Sequence, residues 1–291
     1  MKVLITGSSG FVGRAFMRSP RLSQVALTCI DVKNGDDARD FFRQDNTRFD
    51  LVIHLAAVVG GRMLIEGSPL SLAVDLSLDA EMASWAIRTG QTHIIYFSSS
   101  AAYPVSLQTL DRRHLLRESD IDLDKIQNPD LTYGWAKLTG EMLMGYLRRE
   151  GVTVLTLRPF SGYGTDQDLD YPFPSFINRA INRIDPFQIW GSAETCRDWI
   201  HIDDIVEASL VMASARVNEP VNLCTGIATS FGQLAAIVAG IMDYKPEIQV
   251  EHDMPKGVAF RVGDPTKMSA LYQPKISIFE GAWRAIQSLI C

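Results

Sequence analysis

The sequence predicts an α/β fold: a doubly wound parallel sheet carrying a smaller α/β lid. Three observations lead there. Short runs rich in Val, Ile and Leu alternate with longer helical stretches through the first 160 residues, as in strands buried on both faces and joined by helical crossovers. A glycine-spaced turn directly follows the first of these runs. After Arg158-Pro159 the alternation gives way to a stretch rich in Pro, Asp and aromatic residues.

In chain order, buried strands are expected at Val3–Thr6, Ala26–Ile30, Leu51–Leu55, His93–Phe97 and Val152–Leu157, each bounded by Gly, Asp or Ser. Helices are expected over Val12–Arg18, Asp37–Gln44, Ser77–Arg88 and Tyr133–Arg149. Further on, Ser175–Asn182, Ile202–Ala215, Phe231–Met242 and Ile278–Ile290 read as helices, and Val221–Cys224 as a strand. Residues 1–160 then form the sheet domain and 161–291 the lid. The two are interleaved, because 201–224 returns to the large sheet.

Composition narrows the function classes. The 291 residues are 46 % hydrophobic and 21 % charged, values of a folded globular chain with a full core. A net charge of −6 argues against a nucleic-acid partner held by phosphate neutralisation. No apolar run approaches the ~20 residues of a membrane helix, and the few residues before the glycine turn are too short for a signal peptide. Cys29, Cys196, Cys224 and Cys291 show no CxxC spacing, and the five histidines form no HExxH pair. No metal is expected, and the thiols are expected reduced in a cytoplasmic protein.

Thr6-Gly7-Ser8-Ser9-Gly10-Phe11-Val12-Gly13 links the first strand to the first helix. Gly7, Gly10 and Gly13 allow a tight turn, close approach of backbone to a pyrophosphate, and helix–strand packing, with Phe11 and Val12 opening the helix. The helix N-terminus adds partial positive charge there. This is a Rossmann-type dinucleotide site. Asp31, 24 residues after Gly7, is placed to hold ribose hydroxyls and repel a 2′-phosphate, favouring NAD; Lys33 and Arg14 lie near enough in sequence to keep NADP open. Leu55, Ala56 and Ala57 end the third strand with mostly small residues, leaving room for a flat cofactor.

Tyr133 and Lys137 stand at i and i+4, on one helix face. Phe97-Ser98-Ser99-Ser100 ends a strand at the same sheet edge. Oxidising an alcohol with a nicotinamide needs a base for the hydroxyl proton. A free Tyr, with a pKa of about 10, is a poor one. A Lys ammonium and the nicotinamide cation both favour phenolate, and a serine hydroxyl bridges substrate oxygen and phenol.

With these motifs in order, the chain resembles the extended short-chain dehydrogenase/reductases of the nucleotide-sugar epimerase/dehydratase family. TGSSGFVG, HLAA, SSS and YGWAK carry the likeness in the first half. Leu157-Arg158-Pro159, Arg197-Asp198-Trp199-Ile200-His201-Ile202-Asp203-Asp204 and Arg261-Val262-Gly263-Asp264 carry it in the second. The resemblance implies Ser99, Tyr133 and Lys137 as the catalytic set, Ser99 and Ser100 facing substrate, and Arg197 and Arg261 clamping a diphosphate. It also implies a homodimer through the helices Ser77–Arg88 and Tyr133–Arg149, whose Leu78, Met82, Trp85, Ile87, Leu138, Met142, Leu143, Tyr146 and Leu147 leave no helix face wholly polar. Val58-Val59-Gly60-Gly61, Ala102-Tyr103-Pro104, Phe187-Gln188-Ile189-Trp190-Gly191 and Pro255-Lys256-Gly257 resemble GDP-fucose synthases and GDP-mannose 3,5-epimerases, favouring a GDP-sugar.

One departure bears on the reaction. Those relatives carry a cysteine two residues before the Tyr of the Tyr-Pro pair, and dehydratases a glutamate; this chain has Ala101. Alanine moves no proton, so the expected activity is C4 epimerisation by transient NAD-dependent oxidation. The alternatives are an NADP-dependent 4-keto reductase or a 4-dehydrogenase. If a ring carbon is deprotonated after all, His114, Asp166 and Asp168 are the first replacements to consider. The intact Ser–Tyr–Lys set argues against a non-catalytic NAD(P) sensor. Asp75 stands where many members carry Asn.

Overall fold

The computed structural model describes residues 1–60, 66–252, 254 and 257–290. Gly61, Pro255, Lys256 and Cys291 of the sequence motifs lie outside the described residues. Along the first part of the chain run β1 (Lys2–Thr6), α1 (Phe11–Arg18), β2 (Ala26–Ile30), α2 (Ala38–Gln44), β3 (Leu51–His54), α3 (Ser71–Thr89), β4 (His93–Phe97), β5 (Leu115–Leu116), α4 (Leu131–Arg149) and β6 (Thr153–Pro159). Then come β7 (Ser161–Tyr163), α5 (Pro172–Ile181), β8 (Phe187–Trp190), β9 (Cys196–His201), α6 (Ile202–Ser214), β10 (Pro220–Leu223), β11 (Ala228–Ser230), α7 (Phe231–Ile241), β12 (Ile248–Glu251), β13 (Phe260–Gly263), α8 (Thr266–Ser269) and α9 (Ile278–Ile290).

Six strands form one sheet in the order β2-β1-β3-β4-β6-β10. Every pair in it is parallel. β1, β3, β4 and β6 are apolar on both pleats, so each face needs a helical cover. On one face Val3, Ile5, Leu155 and Leu157 meet Phe16 of α1 and Ile202, Ile205 and Leu210 of α6. On the other, Leu4, Val52, Ile94 and Val154 meet Phe42 of α2, Met82 and Trp85 of α3, and Met144 and Leu147 of α4. The register aligns Ile30 with Thr6, Thr6 with His54, His54 with Tyr96, and Phe97 with Leu157. One edge therefore gathers the carboxyl ends of these strands, where open α/β sheets bind ligands.

A second sheet runs β11-β9-β13-β5, with β7 also pairing β9, and β8 pairs β12 separately. Tyr163, Phe173, Phe176, Phe187, Trp199, Leu234 and Ile286 form its own core. The two-residue β5, from the first half of the chain, pairs with β13 from the last. α3 begins six residues before the expected Ser77, without a side-chain cap to mark its start. Among the described residues no helix is long and apolar enough to cross a membrane.

Candidate active site

The glycine turn hugs the sheet edge. Gly7 has φ +74, and a Cβ there would stand 2.8 Å from the Leu55 carbonyl carbon and the Ala56 nitrogen. At Gly13 a Cβ would meet the Gly7 carbonyl oxygen at 2.3 Å and that of Ser8 at 2.6 Å. Both are backbone, so neither position accepts a side chain without moving the turn. Phe11 and Val12 open α1 and pack on the core with Leu55, while Ala56 packs on the opposite face and Ala57 is half-buried. The turn, Gly10 and the start of α1 fit a dinucleotide pyrophosphate. Asp31 follows β2 directly, 8 % exposed, accepting the Ser9 N–H at 2.8 Å and the Lys33 N–H at 2.8 Å. It thus braces the turn as well as facing the place a ribose would take. Arg14, an expected 2′-phosphate partner, binds Asp166 and the carbonyl of Ser9 with its guanidinium, Ser9 being the residue whose N–H Asp31 accepts.

Ser99 ends the extended segment after β4 and caps the 3₁₀ turn Ser100–Ala102, its hydroxyl accepting the Ala101 N–H at 3.1 Å. α4 brings Tyr133 beside it, with the Ser99 hydroxyl in hydrogen-bond reach of the phenol. Lys137, 4 % exposed, places Nζ 5.7 Å from the Tyr133 ring centre and 5.5 Å from that of Tyr96. The expected set is therefore assembled. Lys137 acts on the phenol in the expected direction but is not the largest influence within the protein. Burial raises the Tyr133 pKa, and Asp75 and Asp79 push the same way; Lys137 and Ser99 oppose them, and the net direction is up. Burial alone would depress the Lys137 ammonium, but Tyr133, Asp79, Asp75 and Glu141 outweigh it and hold the lysine charged.

Two buried polar sets lie behind this group, and the sequence reading passed over most of their members. Asp79 accepts the Tyr96 hydroxyl at 2.6 Å and lies 3.2 Å from His54 Nε2, while His54 Nδ1 lies 2.8 Å from Thr6 Oγ1. Asp75, one turn earlier on α3 and 2 % exposed, accepts the Val58 N–H at 2.6 Å; burial raises its pKa and Lys137 opposes that. Two carboxylates at i and i+4 in an apolar helix were the readable signal. On the other side Arg158 grips Glu141 with two bonds of 2.9 and 2.6 Å, both side chains at most 4 % exposed. Glu141 also accepts Ser98 Oγ at 2.5 Å. Arg158 donates to the Tyr103 hydroxyl, which donates to Asn222. Glu141 is one turn beyond Lys137, so strand, serine turn and α4 are locked together by one bidentate ion pair.

Arg197 and Arg261 are register partners across the β9–β13 ladder. Arg261 donates from Nε to Gln108 Oε1 at 2.6 Å and from Nη2 to Asp130 Oδ2 at 2.6 Å. Arg197 donates to the Cys196 and Val258 carbonyls and stacks 5.5 Å over the Phe231 ring. The two stand side by side, and Arg261 reaches the residue before α4.

A profile of the NAD dependent epimerase/dehydratase family matches residues 3–224. The chain belongs to this family. A putative GDP-L-fucose synthase 2 of Arabidopsis thaliana is 23 % identical over 300 residues, covering 96 % of this chain and 89 % of that protein. A dTDP-4-dehydro-6-deoxy-D-allose reductase of Streptomyces is 24 % identical over 296 residues, covering 92 % and 89 %. Among solved structures, the UDP-glucose 4-epimerase of Thermus thermophilus in complex with NAD superposes with a TM-score of 0.82 at 19 % identity, over 99 % of this chain and 98 % of that one. The family is NAD(P)-dependent, and its members here are enzymes of nucleotide sugars.

Within this epimerase/dehydratase chain the three reserve acid–base candidates sit in three different settings. His114 Nε2 lies 2.7 Å from Asp120. Asp166 bridges Arg14 and Arg18; burial alone would raise its pKa, but the two guanidiniums bring it below the ordinary value. Asp168 is exposed. Ala101 is 6 % exposed, and its carbonyl accepts the Asp130 N–H. Of the apolar side chains expected at a dimer face, Leu78, Met82, Trp85, Leu138 and Leu147 are buried within the chain, whereas Ile87, Met142 and Tyr146 are 50, 37 and 52 % exposed.

Proposed function

We propose that this enzyme transfers hydride at C4 of the hexose of a nucleoside-diphosphate sugar, in the direction that reduces a 4-keto sugar, without deprotonating a ring carbon. The observation that carries this reading is the Ser99–Tyr133–Lys137 group, with Ala101 where relatives carry a second acid–base side chain. A nicotinamide dinucleotide held by the glycine turn and Asp31 would supply the hydride. Ser99 and Tyr133 hold the sugar oxygen by hydrogen bonds; Tyr133 gives its proton to that oxygen, and Lys137 steadies the phenolate left behind. Glu141 and Arg158 fix the body of α4, one turn beyond Lys137, against the serine turn. The names of the fucose synthase and dehydro-allose reductase relatives support reduction.

The expected C4-epimerase remains a second reading, favoured by Asp31. Its carboxylate at the ribose end of the turn suits NAD retained through a full oxidation and return. Arg197 and Arg261 are the proposed diphosphate clamp, with a GDP-sugar favoured. Ser100 is the neighbouring substrate contact. A cytoplasmic homodimer through α3 and α4, using Ile87, Met142 and Tyr146, belongs to the same proposal.

A thermal-shift panel of UDP-, GDP-, CDP- and dTDP-sugars with NAD(H) or NADP(H) tests the reading. A ligand at 100 times its Kd stabilises by about 2.7 kcal/mol. The expected result is one responsive nucleotide series whose 4-keto member consumes one reduced cofactor per sugar. Turnover of the 4-hydroxy sugar with no net cofactor change identifies the epimerase instead. A panel without any response overturns both.

A further inference from the structure

Asp130 occupies the N-cap of α4, where an aspartate ordinarily accepts the N–H of the second or third helical residue. Here it makes no such cap bond. Its carboxylate turns to Arg261 instead, at 2.6 Å, with the two side chains only 11 and 13 % exposed. The third helical residue, whose N–H that carboxylate leaves uncapped, is Tyr133. Backbone ties make the position sensitive: the Asp130 N–H donates to the Ala101 carbonyl at 2.9 Å, the Gly134 N–H donates to the Asp130 carbonyl at 3.0 Å, and Leu131 between them has φ +57. Arg261 also holds Gln108, whose Nε2 donates to the Tyr103 and Pro104 carbonyls just past the serine turn. One guanidinium thus grips both segments that carry the Ser–Tyr–Lys group.

We propose that Asp130 is a specificity-determining and positioning residue that exchanges between two partners. Without substrate its carboxylate holds Arg261; a diphosphate takes over the guanidinium, and Asp130 swings back to cap α4 at Tyr133. The inference rests on Arg261 as a diphosphate ligand. A diphosphate carries more charge than the carboxylate it replaces and meets a planar fork suited to phosphate oxygens. A neutral sugar, or one lacking the second phosphate, competes poorly, so Asp130 acts as a threshold favouring diphosphates. The same exchange ties occupancy of the nucleotide site to the order of the turn that presents the phenol.

Isothermal titration of the full-length enzyme with UDP, GDP, CDP and dTDP, the tightest then carried into Asp130→Asn and Asp130→Ala, tests this. Asparagine caps as well as aspartate but brings no charge to Arg261. Asp130→Asn is expected to bind the nucleoside diphosphate about tenfold tighter, a gain of ~1.4 kcal/mol, with a lower KM and kcat within about threefold. Asp130→Ala is expected to share the tighter binding but lose kcat several-fold more, because its cap is gone. Both keep wild-type cofactor affinity, which checks that they fold. Binding no tighter in Asp130→Asn than in the wild type, or kcat equal in the two variants, overturns the exchange. A wild type that binds none of the four diphosphates overturns the proposed function itself.

Discussion

The sheet edge and the lid hold their charges in opposite ways. Behind the Ser–Tyr–Lys group the charges are closed sets on regular elements: Glu141 with Arg158, and Asp79 with Tyr96 and His54, every side chain nearly sealed from water. On the lid side and at its seam with the sheet the ion pairs run from half-exposed to nearly buried. Arg14 and Arg18 meet Asp166 with side chains 35 to 54 % exposed, while Arg261 meets Asp130, 131 positions away in sequence, with both side chains nearly buried. A buried pair cannot lose one member without stranding a charge, whereas a half-exposed pair is worth little and exchanges readily. In the proposed function the closed sets serve the chemistry, and the Arg261–Asp130 pair, though nearly buried, exchanges because an incoming diphosphate keeps the guanidinium partnered.

The largest expected effect lies on the rigid side. Tyr133→Phe should lower kcat by about 10²–10⁴, the usual share of general acid–base catalysis, while nucleotide-sugar affinity stays within a few-fold. Near-normal kcat would remove the phenol from the mechanism. Next comes a paired stability test. Glu141→Gln, which strands the Arg158 charge, should cost about 3–5 kcal/mol, and Asp166→Asn no more than about 1 kcal/mol, both read by urea denaturation. Equal costs would erase the contrast between the two regions.

His93, the first residue of β4 at the opposite end of the sheet, sharpens the contrast by pH. Burial, helped by Arg216, brings its pKa down to about 4, against about 6.5 unfolded. The unfolded chain therefore takes up the proton first. Stability is intact above pH ~6.5 and falls as the pH drops toward 4, by up to about 3 kcal/mol from this one group. His93→Leu should flatten that part of the urea-midpoint profile between pH 7 and 4.5; an unchanged slope would contradict it.

The smallest effect is the most local. The Asp75 carboxylate raises the Tyr133 pKa, so neutralising it lets the phenol ionise earlier. For a reduction that needs the protonated phenol, the fall in kcat at high pH should move to lower pH in Asp75→Asn. Asp79, Lys137 and Ser99, which also face the phenol, stay in place as the common background. A limb that stays put would remove Asp75 from the phenol's surroundings.

The sheet and its edge were legible because their signals are local. Ala26–Ile30, His93–Phe97 and Ile278–Ile290 fall on the expected residues, since apolar runs buried on both sides need no partner to be recognised. The glycine turn and the Tyr–Lys spacing were equally readable, as each motif is complete within a few residues. The lid was not. Phe187–Trp190 is a strand only because Ile248–Glu251 lies beside it, and β5 has two residues. Nothing in Asp130 alone reveals that it faces Arg261, and Arg158 reads as a strand residue until Glu141 is placed opposite. Long-range charge pairing leaves no periodicity. Lys137 and the nicotinamide cation are together expected to favour the phenolate; against Lys137 and Ser99 alone, burial and the α3 carboxylates raise the phenol, because three elements converge there.

The central claim is that proton chemistry here is confined to Tyr133 and the oxygen on C4. Incubating the responsive 4-keto nucleotide sugar with reduced cofactor in D2O, beside an enzyme-free control for spontaneous exchange, measures it directly by NMR and mass. The expected product carries hydrogen from the cofactor at C4 and no enzyme-dependent deuterium at C3 or C5. Enzyme-dependent deuterium at either ring carbon would contradict it, because some other side chain would then be doing the work that Ala101 cannot.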